Sequence, residues 1–496
     1  MELAKAYTPS EIETKWYQQW ESKGYFKPSN DTNAPSYCIQ LPPPNVTGTL
    51  HMGHAFQQTI MDALIRYHRM KGYNTLWQAG TDHAGIATQI VVERQLDQEG
   101  ISRHDLGREE FVKKVWEWKA YSGGQIVHQM RKLGVSPAWS RERFTMDEGL
   151  KHSVKKAFVK YYNEGMIVRG NYMVNWCTHD GALSDIEVEY EQNKGKLYHL
   201  KYFLKDSKEF LVVATTRPET YFGDTAVMVH PDDERYKHLL GQKVVLPLIN
   251  REIEIIADEH VDMSFGTGCV KVTPAHDVND YEVGKRHNLE FITIFDPQGI
   301  LNEQCGEFKG RERLEVRNDV VAKLEALGFV DKIEDYENQV GHCYRCKNVV
   351  EPYISKQWFV KKEIADGAIA KVNEHLAEFY PSHWINSYNA WMKDLRDWCI
   401  SRQRTWGVPI PFFIHKDTGT LHPNTESLME QVAQLIEQGG VEAWFDAPAE
   451  QFIGADVAEY NKATDTLDVW FDSGATNFAV LDNRGELTNP ADLYLE

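Results

Sequence analysis

The sequence contains no long apolar run and few cysteines. No stretch approaches the ~18 apolar residues that a membrane-spanning helix needs, and the opening residues, MELAKAYTPSEIE, lack the apolar core of a signal peptide. We therefore expect a cytoplasmic protein with no membrane partner. The seven cysteines are scattered over 496 residues, which is not the pattern of a disulfide framework.

Basic residues are also in deficit. The chain has 54 Lys and Arg against 73 Asp and Glu, a formal net charge of −19. This balance argues against a simple DNA-coating protein, because phosphate binding depends on lysine and arginine, although a local basic patch can still hold another nucleic acid. The hydrophobic share (42%) and the charged share (26%) are ordinary and exclude a largely disordered, collagenous or coiled-coil chain.

Common catalytic motifs are missing as well. The sequence has no G-x-x-x-x-G-K-[ST], no G-x-G-x-x-G, no G-x-S-x-G and no H-E-x-x-H. These absences argue against a P-loop, a dinucleotide-binding fingerprint, a serine-hydrolase elbow and a zinc-protease helix.

A strand–loop–helix–strand pattern occupies the first hundred residues. Residues 37–41 predict a strand, a helix follows from about His54 to just before Gly72, and residues 75–78 predict a second strand. This order is that of a βαβ unit in a parallel α/β sheet, where ligands bind at the carboxyl ends of the strands.

His51, Gly53 and His54 lie where the loop meets this helix. Backbone N–H groups at a helix start favour anions, and a glycine lets a phosphate approach the backbone closely. The two histidines can donate to phosphate oxygens as charge develops on a leaving pyrophosphate. A bare H-x-G-H is more often a pair of surface histidines, but the preceding PPPNVTG and the following GTDHAG favour a functional site.

These motifs resemble those of the class I aminoacyl-tRNA synthetases, and in particular of their valine-specific members. The resemblance rests on PPPNVTGTLHMGH (42–54), GTDHAGIATQ (80–89), WEWK (116–119) and FTMD (144–147). It implies an α/β fold with a Rossmann-like catalytic core, whose parallel sheet is incomplete, interrupted by a β-rich inserted editing domain. It also implies ATP and Mg²⁺ as cofactors, valine and tRNA(Val) as partners, and no DNA.

The same resemblance implies roles for two groups of residues. Those expected to bind the ATP phosphates are His51, Gly53 and His54. Those expected to bind the amino acid are Pro43, Asn45, Asp82 and Trp398. The second role is physically sound, because a carboxylate near the end of a strand can pair with an ammonium group and a rigid proline makes a firm wall for a small apolar side chain.

A second group of motifs, TTRPET (215–220), FGTG (265–268) and HDVND (276–280), lies in a region of short β-type runs. Alone, TTRPET is typical of a strand end with a turn, and H-D-x-x-D of a helix cap. Together they resemble the editing domain of the valyl, isoleucyl and leucyl synthetases. The residues that this resemblance implies for the editing site are Thr215, Arg217, Thr220, Phe265, Lys271, Asp277 and Asp280.

In such a domain Asp277 would grip the α-ammonium group of a misattached amino acid. Lys271, Asp280 and their neighbours would position the terminal adenosine of the tRNA and polarise the ester for attack by water. The need for editing is physical, because a pocket sized for valine cannot strongly reject threonine, which replaces a methyl with a hydroxyl group.

A third motif is the C-x-x-C pair Cys343 and Cys346, whose spacing is typical of a zinc knuckle. In zinc-binding relatives a second pair lies in the segment that matches residues 175–180. This chain has Cys177 there, but Asp180 replaces the second cysteine. Zn²⁺ bound by the three cysteines with either His179 or Asp180 is chemically allowed, and unmetallated thiols are the alternative.

From about residue 398 the motifs change. RTWGVP (404–409) and DTLDVWFDSG (465–474) resemble isoleucyl rather than valyl synthetases. Valine is therefore the leading substrate and isoleucine the alternative. A stand-alone aminoacyl-tRNA deacylase and an inactive tRNA-binding fragment are further alternatives. Because the sequence ends before a K-M-S-K-S loop and a helical anticodon-binding domain, we expect poor adenylation with editing retained.

Three domains are expected from this organisation. Residues 1–190 would form an N-terminal helix and the first half of the catalytic domain, and residues 191–340 the inserted editing domain. Residues 341–496 would form a zinc-knuckle and stem region and the start of the second catalytic half.

Overall fold

A computed structural model describes residues 8–29, 31, 33–40, 43–264, 266–482 and 489–494. The chain divides into two units, one made of residues 1–168 and 360–496 and the other of residues 169–359. The first boundary falls within strand Ile167–Cys177 and the second within strand Val350–Val360.

In the described part of the chain the α-helices are α1 (Pro9–Ser22), α2 (Met52–Met70), α3 (Gly85–Gln98), α4 (Arg103–Leu133), α5 (Glu148–Asn163), α6 (Val278–Arg286), α7 (Arg317–Ala326), α8 (Ile364–Asn373), α9 (Trp384–Lys393), α10 (Thr425–Gly439), α11 (Glu442–Asp446), α12 (Glu450–Ile453) and α13 (Val469–Gly474). None of these helices has both the length and the apolar character needed to cross a bilayer.

The strands of the same residues are β1 (Ser36–Gln40), β2 (Asn74–Trp77), β3 (Gly80–Thr81), β4 (Arg143–Phe144), β5 (Ile167–Cys177), β6 (Gly181–Leu183), β7 (Val188–Leu204), β8 (Phe210–Thr215), β9 (Ala226–Val229), β10 (Lys243–Leu246), β11 (Arg251–Ala257), β12 (Cys269–Val272), β13 (Val330–Cys343), β14 (Val350–Val360), β15 (Trp398–Cys399), β16 (Ser401–Arg402), β17 (Phe413–His415), β18 (Tyr460–Lys462), β19 (Thr466–Leu467) and β20 (Leu493–Tyr494).

The predicted βαβ unit is confirmed in the first unit. Strands β1 and β2 pair in parallel, with Ser36 opposite Asn74, and α2 connects them. Strand β20 pairs in parallel with the other edge of β1. Met61 and Ile65 of α2 are fully buried in one cluster with Ile39 of β1 and Trp77 of β2, so the apolar face of the helix holds it on the sheet.

Helix α2 begins two residues earlier than its periodicity predicts, at Met52 instead of His54. His51 is the N-cap, and its Nδ1 accepts a hydrogen bond from the Gly53 N–H at 3.1 Å. His54 Nδ1 in turn accepts from the His51 N–H at 3.3 Å. The two histidines thus act as a reciprocal capping pair, which extends the helix to include the whole motif.

The second unit is built on a β-sheet with the strand order β12-β9-β11-β10-β7-β13, and β8 also pairs with β7. The short β-type runs of this region, at residues 210–216, 244–248 and 253–256 of the sequence, form β8, β10 and β11. Strands β7 and β13 form two long antiparallel arms, with Val188 opposite Cys343 at one end. This pairing brings the two ends of the unit together, although they are far apart in sequence.

A large apolar cluster packs against this sheet. Tyr202, Val213, Phe222 and Val244 are completely buried within it, on strands β7, β8 and β10 and on the turn Pro218–Gly223. Helix α6 begins shortly after β12 and packs through Gly284, where an added Cβ would lie 2.7 Å from the Pro274 Cβ and 3.1 Å from the Phe291 Cζ. The close contact requires glycine at this position.

Replacing Gly284 with alanine should therefore destabilise the second unit. Alanine gains about 1 kcal/mol of helix propensity, but overpacking costs about 1–3 kcal/mol, so we expect a net loss. The measurement is the free energy of unfolding in urea.

The matched control is Gly124→Ala in α4, because an added Cβ there meets nothing within 4 Å. This variant should gain about 0.5–1 kcal/mol from propensity alone. Equal stabilisation by both substitutions would show that α6 does not pack as closely as described.

Candidate functional site

In the first unit the loop after β1 and the loop after β3 lie side by side. Their backbones form a parallel bridge between Asn45 and Asp82. The Val46 N–H donates to the Asp82 carbonyl at 3.0 Å, and the Asp82 N–H donates to the Pro44 carbonyl at 2.9 Å. The structure therefore brings together the two residues that sequence analysis predicts around the amino group of an amino acid.

Asp82 is almost completely buried. Its pKa is raised to about 7, first by burial and also by the charge of Asp468. Hydrogen bonds from the Ala84 N–H at 2.8 Å and the Thr145 hydroxyl at 3.3 Å oppose this shift. A carboxylate held in this way favours a cationic partner, because a bound ammonium group would replace the lost hydration.

Pro43 and Trp398 extend the same region. An added Cβ on Gly80 would lie 3.4 Å from the Pro43 Cβ, so the proline packs beside the start of β3. The Trp398 indole N–H donates to Asp468 Oδ2 at 2.9 Å, and that carboxylate also binds Arg402 at 2.6 Å. Asp468, which sequence analysis missed, thus fixes the predicted tryptophan and acts electrostatically on Asp82.

His51 and His54 lie at the exposed N-terminus of α2, with ring centroids 4.0 Å apart. Burial, followed by the nearby His51, lowers the pKa of His54. An added Cβ on Gly53 would lie 2.9 Å from the His51 Cε1, so glycine lets the His51 ring fold back over the helix start. The arrangement presents ring nitrogens and a helix N-terminus to one region of solvent, a combination that suits phosphate.

In the second unit Lys271 of β12 is at the centre of a buried polar network. Its ammonium group donates to Thr220 Oγ1 at 3.0 Å, Asp224 Oδ1 at 2.9 Å and Thr273 Oγ1 at 2.5 Å. The Tyr202 hydroxyl donates to the other oxygen of Asp224 at 2.5 Å. All three donors of the lysine are used, so it holds the two threonine hydroxyls in place.

Asp277 and Asp280 belong to the N-terminus of α6, beside this network. Asp277 is the N-cap, and its Oδ1 accepts from the Asn279 N–H at 2.8 Å and the Asp280 N–H at 3.1 Å. Asp280 Oδ2 accepts from the Thr273 N–H at 2.8 Å. Burial raises the pKa of Asp280 to about 7, helped by the charge of Asp277 and opposed by Lys271.

Arg217 joins the loop after β8 to the segment that holds Asp277. It donates to the His276 carbonyl at 2.7 Å and forms an ion pair with Glu351. Arg313 binds the other oxygen of Glu351 at 2.9 Å. The Arg217 N–H also donates to Thr215 Oγ1 at 3.0 Å. The structure thus connects all the predicted editing residues except Phe265, which lies outside the described residues.

Sequence analysis missed Asp224, Thr273 and Glu351. Thr273 directly follows the end of β12, two residues after Lys271, and the two side chains contact each other, so the period-2 spacing could have identified it. Glu351 carries no such signal, because it lies 134 residues from Arg217 in the chain.

Four candidate metal ligands meet where β5 and β13 end. The Cys177, Cys343 and Cys346 sulfurs and an Asp180 oxygen all lie within 4.8 Å of one another. Cys343 Sγ lies 3.1 Å from Asp180 Oδ2, and Cys177 Sγ lies 3.4 Å from Cys346 Sγ. The structure places His179 as a hydrogen-bond partner of the other Asp180 oxygen, at 3.1 Å.

The raised pKa of Asp82 predicts a dependence of stability on pH. Between about pH 4 and pH 7 the unfolded carboxyl group loses its proton while the folded one keeps it, so stability falls as the pH rises through this range. Asp82→Asn removes this penalty. As the pH rises from 4 to 8, the free energy of unfolding of the variant should increase relative to that of the wild type by a few kcal/mol, since each pKa unit corresponds to about 1.4 kcal/mol.

Urea unfolding at several pH values measures this difference. The exposed Asp97→Asn in α3 controls for the loss of a negative charge. A stability difference between wild type and Asp82→Asn that does not change with pH would contradict the prediction.

Comparison with known proteins gives one family match and a set of named relatives. The sequence matches the family model described as tRNA synthetases class I (I, L, M and V) over residues 15–496. It is 67% identical over 416 residues to the Valine--tRNA ligase of Wolinella succinogenes, covering 83% of this chain and 46% of that protein. It is 57% identical over 495 residues to that of Helicobacter hepaticus, covering 98% and 52%. The chain spans about half the length of the curated relatives it matches.

Among solved structures, the chain is similar to the ternary complex of Agrobacterium radiobacter K84 agnB2 LeuRS-tRNA-LeuAMS, with 18% identity, a TM-score of 0.47 and coverage of 99% of this chain and 63% of that chain. The family match confirms the predicted fold class, an α/β core with a β-rich region. Because the family model covers nearly the whole sequence, this chain belongs to the class I tRNA synthetases.

Proposed function

We propose that this chain carries the valine-activating and editing chemistry of a valine--tRNA ligase, with ATP, valine and tRNA(Val) as substrates. The buried Asp82 carboxylate beside Asn45 carries this proposal, because a buried carboxylate suits an ammonium group and the loop that carries Asn45 leads directly into the phosphate-type site at the start of α2. The named relatives support valine over isoleucine, since one of them aligns over 98% of the chain, including the segment after residue 398.

In activation, Asp82 and Asn45 would hold the amino group, and Pro43 and Trp398 would bound the side-chain pocket. His51 and His54 would donate to the phosphate oxygens of ATP as the valine carboxylate attacks the α-phosphorus and pyrophosphate leaves. Mg²⁺, which binds phosphate oxygens and water, would neutralise the phosphates.

In editing, we propose that residues 191–340 form the hydrolytic domain. Asp277 would hold the ammonium group of a threonyl ester, and the network around Lys271 would orient Thr220 and Thr273 towards the ester. Water then adds to the ester carbonyl, and the bond to the ribose oxygen breaks to release threonine and tRNA. Lys271 can polarise the ester directly only by exchanging one of its three hydrogen bonds.

The editing proposal predicts different effects of two substitutions at one position. Asp277→Asn keeps the cap of α6, because asparagine caps as well as aspartate, but it removes the charge that would bind the ammonium group. Deacylation of threonyl-tRNA(Val) should fall about 10- to 100-fold with little change in stability, since a hydrogen bond to a charged group contributes about 1.5–3 kcal/mol. Asp277→Ala should lose the same activity and also about 1 kcal/mol of stability.

The substrates distinguish the remaining alternatives. The assay compares threonyl-tRNA(Val), valyl-tRNA(Ile) and correctly charged valyl-tRNA(Val). Hydrolysis of only valyl-tRNA(Ile) would reassign the chain to isoleucine. No hydrolysis by the wild type, or full activity of Asp277→Asn, would refute the proposed editing role.

We also propose that Cys177, Asp180, Cys343 and Cys346 bind one Zn²⁺. Zinc–sulfur bonds of about 2.3 Å place tetrahedral sulfurs about 3.8 Å apart, which agrees with the spacing of these atoms. The hydrogen bond between His179 and Asp180 would orient the carboxylate, as outer partners of zinc ligands commonly do. The metal would tie the end of β5 to the end of β13.

Zinc content and chelation test this site. The purified chain should contain one zinc per molecule by mass spectrometry and should lose stability with a chelator. Asp180→Cys, which completes a four-cysteine set, should retain zinc, while Asp180→Ala and Cys346→Ser should lose most of it. Cys305→Ala, outside the cluster, is the control. Zinc-free wild-type protein of unchanged stability after metal addition would refute the proposal.

A further inference from the structure

Two titratable groups outside the proposed binding roles meet in the interior of the first unit. His83 directly follows Asp82, Asp472 lies in α13, and both are completely buried. His83 Nε2 is 3.7 Å from Asp472 Oδ2. Neither this nitrogen nor either carboxylate oxygen of Asp472 has a hydrogen-bond partner among the residues that the structure describes.

The opposite side of the His83 ring defines its tautomer. Thr145 Oγ1 accepts the His83 backbone N–H at 2.8 Å and lies 2.7 Å from His83 Nδ1. Its own hydroxyl proton goes to Asp82 Oδ1 at 3.3 Å. When Asp82 is ionised, as it is with an ammonium group bound, it takes the single hydroxyl proton of Thr145, and Nδ1 then carries a hydrogen and donates to Thr145. Nε2 of the neutral ring therefore presents a lone pair to Asp472.

A lone pair cannot face an ionised carboxylate in a dry interior without a proton between them. A small rotation of the Asp472 side chain shortens 3.7 Å to hydrogen-bond distance and lets its protonated form donate to Nε2. Burial raises the pKa of Asp472 well above its usual value and lowers the pKa of His83 to about 3. Both shifts agree with a protonated Asp472 beside a neutral His83.

The neighbouring charges favour the same arrangement. Asp468 is compensated by Arg402 at 2.6 Å. The negative charges of Asp82 and Asp468 both disfavour a charge on Asp472, so the proton stays on this inner pair when Asp82 is ionised. The Trp406 indole N–H donates to the His83 carbonyl at 2.9 Å and fixes the backbone of the pair.

We propose that Asp472, His83, Thr145 and Asp82 form one hydrogen-bonded chain, with a proton shared between Asp472 and His83, which holds the Asp82 carboxylate in position for the ammonium group of the amino acid. Asp472 is then a positioning residue that acts through His83 and Thr145. This inference rests on the proposed binding of an amino acid by Asp82.

The binding test compares two substitutions of Asp472. Asp472→Asn keeps an N–H donor for Nε2, while Asp472→Leu keeps the volume and removes the donor. Calorimetric titration of the full chain would use L-valine, L-valinol, which keeps the ammonium group, and 2-hydroxyisovalerate, which lacks it. The exposed Asp446→Asn is the control variant.

Asp472→Leu should weaken L-valine and L-valinol about tenfold, with 2-hydroxyisovalerate unchanged, and Asp472→Asn should restore most of the affinity. Equal weakening of all three ligands would indicate general damage to the pocket and would overturn the proposal.

The second readout is the ¹⁵N NMR signature of His83, assigned with His83→Gln. The wild type should show the neutral Nδ1–H tautomer with a hydrogen-bonded Nε2. That nitrogen signal should shift in Asp472→Leu and remain in Asp472→Asn. An Nε2–H tautomer in the wild type would overturn the proposed hydrogen-bonded chain, even if Asp472→Leu does not fold. The expected tautomer without binding of L-valine would instead refute the proposed amino-acid site.

Discussion

The burial of carboxylates is the constraint on which both candidate sites depend. An ionised carboxylate taken out of water is costly unless donors or cations satisfy it. Asp82 and Asp224 are both buried, and each is surrounded by short-range donors from its own unit. Since these donors come from separate strands and loops, each site forms only when its unit has folded.

In the second unit this requirement produces a linked set of buried ion pairs. Glu219 receives a bidentate pair from Arg317 at 2.7 and 2.8 Å, and Glu351 receives Arg217 and Arg313. Removing one partner of such a pair typically costs about 3–5 kcal/mol, because a buried charge is left uncompensated. Arg217 is therefore a structural connection as well as a candidate site residue, and its loop is held rigidly beside Asp277.

In the first unit the buried carboxylate of Asp82 has fewer hydrogen-bond donors around it. Among the residues that the structure describes, Asp82 has two hydrogen-bond donors, the Ala84 N–H and the Thr145 hydroxyl. Burial outweighs them and raises the pKa of Asp82, so the carboxylate keeps capacity for a further cation. The parallel bridge between Asn45 and Asp82 supplies this geometry, because it holds the loop after β1 beside the residues that follow β3. A site that is incompletely satisfied without its ligand is prepared to bind one.

The sequence by itself determined the family, the βαβ unit, several strands of the second unit and the clustering of the predicted editing residues that the structure describes. Those features follow from local periodicity and from motifs whose members lie close along the chain. Only the tertiary structure decided which polar groups become partners of one another. It placed Asp224 beside Lys271, Glu351 beside Arg217 and Asp472 beside His83. It also placed Asp180 rather than His179 among the four clustered metal-ligand candidates. The physical reason is that such partners are chosen by the packing of segments far apart in sequence, and hydrophobic periodicity carries no information about which polar groups that packing brings within a few ångströms.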